Sequence, residues 1–141
     1  MQWWIYALIT MLMFGTTNFL VKYAAHNNMD SIFASIVLWL ATGATGLVFL
    51  AIYSKEFMYN LKNTTPWLLL LPIIAGVALA IGMYSIKIAL TKGPAGPTVA
   101  ITAANAFLVA ALAYVLIGEE LSPLKIIGML VIFAGIVLLT L

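Results

Sequence analysis

Five long apolar stretches separated by short polar connections fill almost the whole chain. A hydrocarbon layer about 30 Å thick needs roughly 20 apolar residues in a helix, and such runs recur here with no polar segment long enough for a separate domain. The pattern predicts helices at 3–25, 31–53, 66–91, 97–117 and 123–141 within one membrane domain covering 1–141. The first carries Gly15, Thr16, Thr17 and Asn18 at mid-depth and Lys22 near its end. No basic segment precedes it and Trp3 and Trp4 suit an interface, so it reads as a retained span rather than a cleaved leader. Ser31, after Asp30, is the expected N-cap of the second helix, and Ser54 to Thr65 is expected as a polar loop, the longest connection. Pro66 suits the first turn of the third helix, while Pro72 falls inside it and predicts a local kink. Gly93-Pro94-Ala95-Gly96-Pro97 breaks the chain before the fourth helix, which Gly118 ends. Ser122 and Pro123 read as N-cap and first turn of the fifth.

Composition agrees with lipid as the solvent: 65% of the residues are hydrophobic and 7% charged. The expected fold class is an all-α, multi-pass integral membrane protein with five transmembrane helices, placed in the cell (inner) membrane and contacting lipid. Without cysteine there is no disulfide framework and no thiolate metal site. His26 has no second ligand near it in sequence and reads as a loop residue, so no metal and no cofactor are expected. The six lysines are scattered over loops and helix ends rather than clustered, which argues against nucleic acid as a partner and against a polybasic lipid-binding segment. An odd number of spans puts the termini on opposite sides, with Lys55, Lys62 and Lys125 on the N-terminal side and Lys22, Lys87 and Lys92 on the other. Orientation follows lysine and arginine bias in short loops, so this tie makes insertion in both orientations credible beside a single topology.

The helix faces carry the candidate chemistry. Gly76, Ala80, Tyr84 and Lys87 share one face of the third helix, a small-residue stripe turning polar near its end and expected to pack inside the bundle. Thr98, Thr102 and Asn105 are spaced to lie on one side of the fourth helix, a polar stripe in an otherwise alanine-rich segment. Gly128 and Gly135 lie on one face of the apolar fifth helix, fit for bundle packing or for a dimer contact. Polar groups in hydrocarbon are costly and tend to mark pathways, so Asn18, Trp39, Tyr84, Lys87, Thr98, Thr102 and Asn105 are the candidate substrate-binding residues. Each has a plainer reading. Threonine hydroxyls bond to the carbonyl one turn back, asparagines join helices, and Trp39 packs. Lys22 and Lys87 lie about one turn inside their helix ends, within snorkelling reach of the interface. If they face a cavity instead, they make one mouth electropositive and attract carboxylate or phosphate groups.

Several segments resemble a known family. Phe14-Gly15-Thr16-Thr17-Asn18-Phe19 with Lys22, then Tyr84-Ser85-Ile86-Lys87-Ile88-Ala89-Leu90 with Gly93-Pro94-Ala95, are similar to EamA-type repeats of the drug/metabolite transporter superfamily. Gly118-Glu119, Leu121-Ser122, Ile127-Gly128 and Gly135-Ile136-Val137-Leu138 are similar to the ending of the same repeat. The resemblance covers the whole chain. It implies one half of an inverted-repeat transporter, since larger members carry two five-helix repeats in inverted orientation and move small metabolites, amino acids among them, by alternating access. A lone repeat departs from that pattern and implies a dimer or a separate partner, and an antiparallel homodimer would also agree with the lysine tie. The resemblance further implies that the third and fourth helices move relative to the first two.

Asp30, Glu56, Glu119 and Glu120 all fall outside the predicted spans. Proton coupling, and the binding of lipophilic cations by smaller multidrug relatives, commonly depend on a membrane-embedded carboxylate. A facilitator or exchanger for neutral, zwitterionic or anionic solutes is therefore expected. No nucleophile with a nearby base, metal-ligand spacing or phosphate loop is present in the sequence, so an enzyme is not expected. The rival reading is a non-transporting membrane subunit that pairs with a homologous half or stabilises a larger complex.

Overall fold

The computed structural model describes residues 3–140. Among them the regular structure is helical: α1 Trp3–His26, α2 Ser31–Ile52, α3 Ser54–Asn63, α4 Pro66–Lys92, α5 Ala95–Ala103, α6 Asn105–Leu112 and α7 Pro123–Thr140, with a π-helical segment Ala113–Ile117 after α6. Leu141, included in the predicted last helix, lies outside the described residues. Trp3–His26, Ser31–Ile52, Pro66–Lys92 and the combined stretch Ala95–Ile117 are each long and apolar enough to cross a membrane, and Pro123–Leu139 is a shorter apolar helix. The protein is an all-α membrane protein.

Local chemistry explains the helix ends. At the end of α1 the Met29 N–H donates to the Ala24 carbonyl and the Asn28 N–H to the Ala25 carbonyl, at 3.1 and 3.0 Å. Asn28 adopts a left-handed φ of 63°, which asparagine tolerates better than most residues, and the pair of bonds closes the helix. The N-cap of α2 is Asp30 rather than Ser31: its Oδ1 accepts from the Phe33 N–H at 2.8 Å, and Ser31 is already helical. Ser122 caps α7 as expected, its Oγ accepting from the Lys125 N–H at 3.4 Å just before Pro123. Pro72 lies within a continuous α4.

The expected loop at Ser54 to Thr65 is largely a helix. α3 follows α2 across the single residue Tyr53 and ends at Asn63. Polar residues dominate the segment, but Phe57, Met58 and Leu61 keep a spacing that puts them on one helical face. The predicted fourth helix also differs, because it is interrupted. The Ala104 N–H donates to the Ile101 carbonyl and the Phe107 N–H to the Ala104 carbonyl, both three residues apart, and these tightened turns separate α5 from α6.

The chain divides into two compact units, Leu20–Thr91 and Met1–Phe19 with Lys92–Leu141. In the first, α2 continues into α3 and the end of α4 holds the most deeply buried side chains, Lys87 and Leu90, together with Ser35 of α2. In the second, α5 and α6 pack against α7, with Phe107 and Phe133 edge to face at 5.6 Å between ring centres. Most large apolar side chains remain exposed, as a lipid solvent allows.

Candidate functional site

The break at Gly93-Pro94 shapes the site. Proline has no N–H, so the carbonyl of Leu90, four residues earlier in α4, lacks its ordinary helical donor. Lys22 of α1 fills that place, its Nζ donating to the Leu90 carbonyl at 2.6 Å. Leu90 itself is fully buried. The lysine thereby caps the end of α4 and ties it to α1, with a charge-assisted bond stronger than a neutral one.

Three residues earlier, Lys87 turns toward α2. Its Nζ donates to the Ala34 carbonyl at 3.3 Å and lies 5.9 Å from the centre of the Trp39 ring. Unlike the Leu90 carbonyl, that of Ala34 has an ordinary helical partner available in Leu38, so the lysine adds a second, longer bond. The Lys87 side chain is 1% exposed. Neither snorkelling nor a solvated mouth describes it: the amine is turned inward among helices of its own unit. Around it is a small cavity lined by Val21, Ala25, Met29, Ser31, Ala34 and Thr91.

Of the predicted site residues, the structure brings Trp39 and Lys87 together. Tyr84 lies one turn before Lys87 on α4 and is half-buried, whereas Gly76 at the other end of that stripe is exposed and an added Cβ there meets nothing within 4 Å. The expected inward packing of this face therefore applies to its Lys87 end alone. Asn18, Thr98, Thr102 and Asn105 belong to the other unit. Asn18 and Thr98 are half-buried, and the Thr102 hydroxyl donates to the Val99 carbonyl at 2.8 Å, the plainer role foreseen for it. Asn105 is exposed and opens α6. The spacing that placed it beside Thr98 and Thr102 assumed an unbroken helix, and the interruption at Ala104 falls between them.

Sequence reasoning missed Ser35, which is 1% exposed with its hydroxyl donating to the Ser31 carbonyl at 2.7 Å. It also missed the two backbone carbonyls that the lysines seek. The Leu90 carbonyl, deprived of its helical donor, had a signal in the sequence, the proline four residues on. The Ala34 carbonyl had none.

Among the described residues the four long apolar stretches hold no aspartate or glutamate, and no group of acids and histidines is placed to hold a metal ion. No curated protein and no solved structure matches the chain. The model of the EamA-like transporter family does match it, over residues 1–141, in keeping with the apolar helices. The chain belongs to the EamA-like transporter family.

Proposed function

We propose that this chain forms one half of a small-metabolite transporter that works as an antiparallel homodimer by alternating access, carrying neutral, zwitterionic or anionic solutes such as amino acids. Membership of the family gives a membrane-transporter type of function, and the arrangement around Lys87 supports the choice of solute. Lys87 has three donor positions, one long bond to a backbone carbonyl and an aromatic face beside it. A solute carboxylate offers a stronger acceptor than the Ala34 carbonyl, so Lys87 exchanges one for the other without an embedded acid to compete. Trp39 and Tyr84 supply flat, partly apolar surfaces for the rest of the solute.

The two lysine ties suggest how binding couples to movement. Any displacement of α4 against α1 breaks the Lys22 bond to Leu90, and any displacement against α2 breaks the Lys87 bond to Ala34. A ligand that takes Lys87 from Ala34 releases the second tie and favours the displaced arrangement by its differential affinity. Lys22 ties α4 to α1 through the Leu90 carbonyl.

Uptake by proteoliposomes tests the proposal. Amino acids and other small carboxylates should enter faster than into protein-free vesicles, and Lys87→Gln should lose the carboxylates first. Absence of uptake for every solute class, with correctly folded protein, would sink the proposal and favour the non-transporting subunit.

A further inference from the structure

We infer that α3 and the adjoining groove on α2 form a binding site for an anionic phospholipid. α3 lies between α2 and α4, both long and apolar enough to span, so its ten residues Ser54–Asn63 sit where the chain turns at the membrane surface. Phe57, Met58 and Leu61 share one face, and each stays 42 to 50% exposed, unclaimed by the rest of the described chain. Lys55 and Lys62 are seven apart, hence within about 20° of each other around the helix axis, at one flank of that apolar face. A short helix with an apolar stripe and flanking lysines is suited to lie in the plane of the interface, its amines level with lipid phosphates.

The groove supplies the second half of the site. It has a volume of about 580 Å³ and is lined chiefly by Gly43, Gly46, Leu47, Leu50, Tyr53 and Phe57, running from the last turns of α2 into the start of α3. A Cβ added at Gly43 or Gly46 meets nothing within 4 Å, so the missing side chains leave its floor open. Phe49 and Tyr53 stack at 6.2 Å and wall one side. The apolar lining fits an acyl chain. Its continuity with α3 brings the headgroup to the lysines, against which the segment sets the single acid Glu56.

Charge separates a lipid from a second copy of the chain as the occupant. A parallel pair related by a twofold axis through this groove would set Lys55 and Lys62 against their own counterparts. An antiparallel pair would carry the partner's α3 to the opposite leaflet, leaving the amines without an anion. A phospholipid phosphate satisfies both lysines while its chain fills the groove.

Native mass spectrometry of the detergent-purified protein with added phosphatidylglycerol or phosphatidylcholine of identical chains tests this inference. The wild type should retain phosphatidylglycerol preferentially. The double variant Lys55→Gln, Lys62→Gln should lose that preference, by about fivefold per lysine, and the matching arginine variant should keep it. Gly46→Leu should lower retention of both lipids, with far-UV circular dichroism confirming the helical fold. Equal retention of the two lipids by the wild type, or a preference untouched by the double variant, would overturn the inference. So would Gly46→Leu altering self-association while leaving lipid retention unchanged, which would assign the groove to a second copy. Transport activity does not enter these readouts.

Discussion

Lys22 and Lys87 both donate to backbone carbonyls, yet their substitutions should behave differently. Pro94 occupies the position from which a helical N–H to the Leu90 carbonyl would come, and Lys22 donates to that carbonyl in its place. Lys22→Met should therefore destabilise the protein by about 1.5 to 3 kcal/mol, read as a lower melting temperature or an earlier unfolding transition in detergent. Lys87 is buried on a long bond to a carbonyl that has another partner. Lys87→Met, similar in length and apolar, should leave thermal stability unchanged or raise it, since a buried charged group replaced by a well-packed apolar one is often neutral or stabilising. The same variant should raise KM for carboxylate solutes by about tenfold or more in proteoliposome uptake. A large stability loss with unaltered KM would make Lys87 a structural tie instead. Of this pair the sequence revealed that both lysines lie inside apolar helices. It did not reveal their direction, because a four-carbon stem reaches either water or a neighbouring helix from the same Cα.

The helices themselves were legible where a length or a breaker decides. Runs near 20 apolar residues, Pro123 at the first turn of α7 and the Gly93-Pro94 stop after α4 follow from elementary geometry and appear where expected. Two features were not. α3 reads as a loop by polarity although its apolar residues keep helical spacing, and the interruption at Ala104 falls in an alanine-rich segment whose propensity favours an unbroken helix. The π-helical segment Ala113–Ile117 likewise has no breaker inside it and ends at Gly118, where φ is +74°. There both the Gly118 and Glu119 N–H groups donate to the Ala113 carbonyl. An added Cβ at Gly118 meets nothing within 4 Å, so its cost is confined to the left-handed backbone. Gly118→Ala should cost about 1 to 2 kcal/mol in a denaturation series, and a neutral result would mean that the segment relaxes to an ordinary helix end.

At the scale of the whole molecule, the proposed transport turns on whether two copies of the chain meet as antiparallel halves in the bilayer. With five spans, Lys55, Lys62 and Lys125 would lie on one side and balance Lys22, Lys87 and Lys92 on the other. Orientation depends on lysines near the loops, and Lys22 and Lys87 are turned inward among helices rather than left in the loops. The balance therefore counts residues of unequal weight, something the sequence alone did not disclose. An antiparallel dimer needs both orientations in one membrane, with α3 then meeting each leaflet from opposite sides. The chain contains no cysteine, so a single introduced thiol reports topology without background. The decisive measurement is labelling of Gln2→Cys and, separately, Thr140→Cys in intact cells with a membrane-impermeant thiol reagent. Both positions should label in a substantial fraction of molecules, showing mixed orientation. Labelling confined to one of the two, in folded and fully expressed protein, would fix a single topology and contradict the antiparallel transporter.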